Sequence, residues 1–157
     1  MLKMKKCKNI LIIGAGLSGL SVAFHLIRKG CNVSVIDNGV NYSSVIAAGM
    51  INPLVFRRMT KSWRVDEFLP FLKTFYKSLE EEMECSFLNP ITIRRMFSTQ
   101  QERELWLNRQ NTVEFSNYMH VISPEDDSFS EAINNFGSGR VKNSFYIDTQ
   151  LFLHSLK

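Results

Sequence analysis

The stretch that most constrains this chain is ILIIGAGLSGLSVAFHLIRKGCNVSVID, residues 10–37. Ile10 to Ile13 is a short, continuous, β-branched-rich run, which suits a strand buried on both faces. Gly14-Ala15-Gly16-Leu17-Ser18-Gly19 follows as a complete G-x-G-x-x-G. Leu17, Leu20, Phe24 and Ile27 then recur at helical spacing, with Ala23 giving a small side chain near the sheet. Gly30 stands where a helix closes through a left-handed residue. Cys31 to Ile36 reads as a second strand, and Asp37 ends it. Each part has a physical task. Gly14 permits a tight turn, Gly16 lets backbone approach a pyrophosphate, and Gly19 allows close helix–strand packing. The helix start offers N–H groups and a positive dipole end to phosphates. Asp37 is placed to accept hydrogen bonds from a ribose, and its charge repels a 2′-phosphate, which argues against NADP. The stretch is predicted to be a dinucleotide-binding βαβ unit.

Two membrane readings compete for the same residues. Lys3, Lys5, Lys6 and Lys8 followed by an apolar run imitate a signal peptide. The run is broken by Gly14, Gly16, Ser18, Gly19 and Ser21, and His25 and Arg28 follow soon after. A transmembrane helix needs about 20 mostly apolar residues, and this stretch is too polar for one. No membrane association is predicted, and a cytoplasmic location is expected.

The chain has 157 residues, 45% hydrophobic and 22% charged, which fits one ordinary globular domain with a real core. The net charge of +4 permits anionic ligands without demanding nucleic acid. Cys7, Cys31 and Cys85 are scattered with no C-x-x-C pair, so reduced thiols are the simplest reading and no metal site is expected. His25, His120 and His154 are equally dispersed and lack ligand-like spacing.

FAD and NAD share this fingerprint, so the residues after Asp37 must decide. An NAD domain continues with a further helix and a third parallel strand. Here the segment NGVNYSSVIAAGMINPLVFRRMTKSWR reads instead as a long loop, a feature that is usually functional. Asn41-Tyr42-Ser43 matches a glycosylation sequon, but nothing secures a secreted context for it.

Gly14, Gly16, Gly19, Asp37, Ser43-Ser44 and AAGMINP at 47–53 together resemble the FAD-dependent oxidoreductases related to D-amino acid oxidase. Glycine oxidase, sarcosine oxidase and the oxidase domain of the bifunctional tRNA methylaminomethyluridine enzyme belong to that group. NPLVFRRMTKSWRVDEFLPFLKTFYKSLEE strengthens the likeness, which is specific over 8–82 and looser over 83–157. The resemblance implies FAD as cofactor, held by Gly14, Ala15, Gly16, Leu17, Ser18, Gly19, Asp37 and Asn38. The loop carrying Ser43, Ser44, Ala48 and Gly49 would pass near the pyrophosphate or flavin ring, where small residues allow close approach. It also implies a small amine or amino-acid substrate oxidised by hydride transfer to flavin. No catalytic residue is assignable from the sequence.

Beyond residue 60, Ser62 is placed to cap a helix reaching Met83, with Pro70 either kinking it or marking its true start. Phe68, Leu72, Phe75, Tyr76, Leu79 and Met83 form its apolar face. Glu80, Glu81, Glu82 and Glu84 oppose the dipole at its end, as a solvated face would. Residues 91–97 alternate as a strand. Thr99 and Glu102 form a capping box opening a helix to about Asn108. A strand is expected near Val121-Ile122, a turn at SPEDDS, and another at Gly137-Ser138-Gly139. Arg140 to Ile147 reads as a strand, and Thr149 caps a last helix. Arg57, Arg58, Lys61 and Arg64 gather positive charge that suits a solvated surface, a diphosphate or an anionic substrate.

The predicted fold is α/β: a Rossmann-like FAD-binding βαβ unit over 1–60, joined over 61–157 to part of an α+β substrate domain. Members of the resembled family are usually more than twice as long, so a truncated form or a need for a partner or oligomer is expected. One helix cannot bury both faces of a two-stranded parallel sheet. The leading expectation is the N-terminal part of an FAD-dependent amine or amino-acid oxidoreductase. Its alternatives are a non-catalytic dinucleotide-binding fragment and a flavoprotein of tRNA modification; nucleic acid ranks low because no interleaved aromatic readout motif is present.

Overall fold

The computed structural model describes residues 9–40, 43–122 and 135–156. In chain order the elements are β1 (Ile10–Ile13), α1 (Leu17–Arg28), β2 (Val33–Ile36), α2 (Ser43–Ile46), β3 (Met50–Ile51), β4 (Leu54–Val55), β5 (Thr60–Lys61), α3 (Val65–Met83), β6 (Leu88–Met96), α4 (Gln100–Gln110), β7 (Met119–Ile122), β8 (Ser138–Ile147) and α5 (Thr149–Ser155). They form two compact units, residues 1–49 with 148–157 and residues 50–147. The division at Gly49/Met50 falls before residue 60 because Met50 and Ile51 pair with β8.

In the first unit β1 and β2 are parallel, from Ile10 opposite Val33 to Ile13 opposite Ile36. Leu20, Ala23 and Phe24 are the buried residues of α1, as the helical spacing predicts. Cys31 N–H reaches Leu26 O at 3.0 Å and Gly30 N–H reaches Ile27 O at 2.8 Å, with Gly30 at φ +78°. This pair of bonds is the Schellman closure, and it satisfies two carbonyls the helix end would otherwise leave open. The expectation of strands buried on both faces is corrected: Ile13 is 84% exposed, and Leu11 and Ile36 are each 57% exposed. A single helix spans too little width to cover two faces, so apolar side chains remain outside. Asp148, rather than Thr149, caps α5 by accepting the Leu151 N–H at 2.9 Å. Thr149 instead donates its hydroxyl to Ala47 O at 3.3 Å. Cys31 is disulfide-bonded, which corrects the reading of uniformly reduced thiols, whereas Cys85 keeps its thiol out of any disulfide.

The second unit is built on an antiparallel sheet. β8 pairs with β6 along its length, and β3 and β7 also pair with it. β6 begins before the expected residue 91, and Pro90 is tolerated there because, among the described residues, β6 is an edge strand paired with β8 alone. Gly137 turns at φ +79°, but Ser138 and Gly139 already belong to β8, which shortens the predicted turn. A Cβ on Gly139 would lie 2.4 Å from the Trp106 ring, so only glycine lets this wholly buried indole lie against the strand. The strand predicted at Val121-Ile122 is β7. The turn predicted at SPEDDS lies outside the described residues.

α3 begins at Val65 behind Arg64, not at Ser62, whose hydroxyl donates to Asn52 O at 3.0 Å. Pro70 lies inside α3, and its missing N–H forfeits one helical bond. Glu80 is more than a solvated charge: its Oε1 accepts the N–H groups of Phe87 and Leu88 at 2.6 and 2.7 Å. The capping box forms with a variation. Thr99 Oγ1 accepts the Glu102 N–H at 3.1 Å, while Glu102 Oε2 reaches back to the Ser98 N–H at 2.8 Å. The core joins Leu54, Val65, Leu69, Phe97, Trp106, Phe115, Met119 and Val141.

Candidate dinucleotide-binding site

A cleft of about 400 Å³ opens where β1 and β2 end. It is lined by Ile13, Gly14, Gly16, Ile36, Asp37, Asn38, Ser43 and Ser44. Ligands of open parallel sheets bind beyond the carboxyl ends of the strands, where loops diverge and helix starts converge.

The sequence explains the shape. Gly14 adopts φ +99°, a conformation that disfavours a Cβ, and its N–H bonds to Ile36 O at 2.7 Å. The chain can therefore leave β1 and enter α1 within three residues. Gly19 packs so close that a Cβ would lie 1.9 Å from Gly14 O and 3.4 Å from Ile12 Cγ2. The α1 N-cap, Gly16, provides no side-chain bond, and the first turn contains no acid. The first N–H groups of a helix have no intrahelical acceptors, and they carry the positive end of its dipole.

Ser44 supplies one acceptor from outside the helix. Its Oγ lies 3.2 Å from the Leu17 nitrogen and receives that N–H. A Cβ on Gly16 would stand 2.8 Å from the same oxygen. The sequence placed Ser43 and Ser44 near the site, but not this bond; a serine at a distant helical turn carries no local pattern that pairs it with another helix. Ile13 and Ile36 were likewise not foreseen as cleft walls.

Asp37 Oδ2 accepts the Ala15 N–H at 2.6 Å and Oδ1 accepts the Gly39 N–H at 2.7 Å. The carboxylate is exposed, and each oxygen has further lone-pair capacity. Asn38 Oδ1 accepts the Val40 N–H at 3.0 Å, closing the turn after β2. Leu17, Ser18 and Gly19 form the first turn of α1 behind the cleft. Ala48 and Gly49 follow α2, with Gly49 at φ +67°, and are not among the lining residues.

The basic residues of the second unit separate. Arg57 and Arg58 lie exposed on a 3₁₀ turn, whereas Lys61 pairs with Asp66 and Arg64 with Glu67. Tyr118, buried, donates its hydroxyl to Asp66 Oδ1 at 2.7 Å. The Lys61 hydrogen bond, joined by that of Tyr118, lowers the Asp66 pKa from its ordinary value. Burial, with the bond to Asp66, pushes Tyr118 up to about 12. His25, His120 and His154 stand on α1, β7 and α5. Among the described residues no three His, Cys, Asp or Glu side chains form a metal-binding group, and no helix is long and apolar enough to cross a membrane.

The family model for DAO, FAD dependent oxidoreductase, matches residues 9–157. The chain belongs to this family. FAD is the family's cofactor, and the predicted α/β fold is the one found. An uncharacterized oxidoreductase of Bacillus subtilis (strain 168), YurR, is 37% identical over 57 residues, 36% of this chain and 15% of that protein. L-amino acid deaminase from Proteus myxofaciens superposes with a TM-score of 0.70 at 16% identity, over 97% of this chain and 36% of its own. Glycine oxidase from Bacillus cereus gives 0.66 at 20% identity, over 97% and 44%. Iminodiacetate oxidase from Chelativorans gives 0.63 at 20% identity, over 93% and 42%. The chain thus spans less than half the length of these proteins.

Proposed function

We propose that this chain is the N-terminal part of an FAD-dependent oxidoreductase that oxidises a small amine or amino acid. The observation that carries the reading is the cleft itself: the start of α1, a backbone kept bare at Gly16 and an acid at the end of β2 converge on one space. These features fit the cofactor. Gly14, Ala15, Gly16, Leu17, Ser18 and Gly19 would hold the pyrophosphate through backbone N–H groups, assisted by Ser43 and Ser44. Asp37 would accept the ribose hydroxyls while still tethered to Ala15 and Gly39, and Asn38 would hold the adjoining turn. Ala48 and Gly49 would give the flavin ring a small-residue approach.

When bound, FAD supplies the two-electron acceptor for the substrate C–H bond; the protein contributes orientation and electrostatics. The names of the similar structures, a glycine oxidase, an L-amino acid deaminase and an iminodiacetate oxidase, support an amine or amino-acid substrate. Residues 1–60 would serve the cofactor and 61–157 would contribute to the substrate side. We place the protein in the cytoplasm.

A second reading, a dinucleotide-binding unit without turnover of its own, is favoured by the lining of the cleft. Asp37 is the ionisable side chain among those residues, and it is engaged in holding backbone. The deciding experiment is FAD titration of the purified chain by flavin fluorescence, followed by an anaerobic test for flavin bleaching with amino acids and secondary amines. Saturable binding lost in Gly16→Leu supports the cofactor site, and bleaching supports the oxidoreductase. Binding without bleaching supports the second reading. FAD affinity unchanged in Gly16→Leu overturns the site.

A further inference from the structure

We infer that the Ser44 hydroxyl stands in for a phosphate oxygen at the start of α1 and hands the Leu17 N–H to a diphosphate when one binds. The handover deepens the reading of the cleft as a dinucleotide site and rests on it. Two observations place the hydroxyl in the ligand's way. The first is the donor. Leu17 N–H, one of the groups assigned above to the pyrophosphate, already donates to Ser44 Oγ at 3.2 Å. A backbone N–H has one hydrogen to give, so serine and phosphate cannot both receive it fully. The second is space. On the bare side of Gly16, Ser44 Oγ lies 2.8 Å and Ser44 Cβ 3.7 Å from where a Cβ would stand. Ser44 also lines the cleft, together with Gly14, Gly16 and Asp37.

Bond strength decides which internal oxygen yields. Asp37 Oδ2 holds the Ala15 N–H at 2.6 Å, a short bond to a charged acceptor, and Oδ1 holds the Gly39 N–H as well. The Ser44 bond lies at the long end of the N–H···O range and has a neutral acceptor. It is the easier of the two to break. A carboxylate in its place would cap α1 more strongly but would repel a phosphate. A hydroxyl is donor as well as acceptor, so after turning about χ1 it can donate to the anion that displaced it.

The surroundings allow this turn. Ser44 belongs to α2, a helix of four residues, none of them buried, so little packing opposes the rotation. Gly16 gives α1 no side-chain cap, and its first turn has no acid. The hydroxyl therefore keeps one helix-start donor satisfied until a phosphate takes it over.

The test follows hydrogen exchange of the Leu17 amide by ¹H–¹⁵N NMR in the full natural chain and in Ser44→Ala, each without ligand and with saturating FAD. Without FAD, Leu17 should exchange about fivefold faster in Ser44→Ala, the usual effect of losing one helix cap. With FAD, Leu17 should exchange at one slower rate in both proteins, because a phosphate oxygen then holds the N–H in each. Ser44→Thr keeps the hydroxyl and should restore slow exchange without FAD, and spectra away from the cleft report whether each variant is folded. A Leu17 rate that still depends on Ser44 at saturating FAD overturns the handover and leaves the cofactor site in place. Equal rates without FAD in the natural chain and Ser44→Ala overturn it too. Failure of FAD to bind the natural chain overturns the reading of the cleft, and the handover with it.

Discussion

Ser44 Oγ receives the Leu17 N–H at 3.2 Å, so a side chain from one helical turn caps the start of another helix across 27 positions of sequence. The same oxygen lies 2.8 Å from where a Gly16 Cβ would stand, which couples the two positions.

That coupling is measurable as a double-mutant cycle. Ser44→Ala should cost about 1 kcal/mol, the usual loss of a helix cap. Gly16→Ala should cost more in the natural background than in Ser44→Ala, with an interaction term of roughly 0.5–3 kcal/mol typical of touching residues. Urea unfolding of the four proteins without FAD provides the comparison. Additive effects would show that the contact carries no weight.

Gly19→Ala should behave differently, because its Cβ would meet Gly14 O, a backbone atom, at 1.9 Å. No single partner truncation can relieve it. A loss at or above about 1–3 kcal/mol, the range for overpacking, is expected and should persist in Ser44→Ala.

Asp37→Asn replaces an acceptor-only carboxylate with a group that has one acceptor oxygen. Either the Ala15 or the Gly39 N–H then loses its partner. A bond to a charged group is worth about 1.5–3 kcal/mol, so FAD affinity should fall by at least tenfold as the glycine turn loosens. Equilibrium dialysis with FAD gives the answer, and an unchanged dissociation constant would remove Asp37 from the site.

The Lys61–Asp66–Tyr118 chain predicts two pH limbs. Asp66 is held below its ordinary pKa by Lys61 and then Tyr118, so its contribution is present above the unfolded value and lost as pH falls through the folded one. Tyr118 is raised to about 12, so its contribution is present below about 10 and lost as pH rises toward 12. Tyr118→Phe should move the acid loss of stability to higher pH and reduce the alkaline one, leaving the part carried by Tyr76, whose pKa burial also raises. Circular dichroism melts from pH 2 to 5 and from 9 to 12 measure both; a variant with unchanged limbs would discount the network.

How much of this was readable in advance depended on whether a residue's partner was near in sequence. The G-x-G-x-x-G, the Gly30 closure and the Thr99–Glu102 cap are local arrangements, and their geometry follows from backbone sterics within a few residues. The Ser44–Leu17 bond, the Gly139–Trp106 contact and the Glu80 bonds to Phe87 and Leu88 join elements across turns or longer loops. No periodicity announces them. Ser62 and Thr149 show the same limit on a smaller scale: each has a cap-forming hydroxyl, but a competing carbonyl, Asn52 O or Ala47 O, won it. Burial of β1 failed as a prediction for a different reason, since an apolar strand states what could cover it but not what does.

The Schellman closure at Gly30 also sets a length rule for the chain. From that reversal β2 must reach the register in which Ile36 stands opposite Ile13, because only then does Asp37 meet the Ala15 N–H. Side chains alternate along a strand, so inserting or deleting one residue between Gly30 and Val33 would either slide the register or bring Ile36 or Asn38 to the place of the carboxylate. The short connection after α1 is therefore less forgiving of changes in length than of changes in residue.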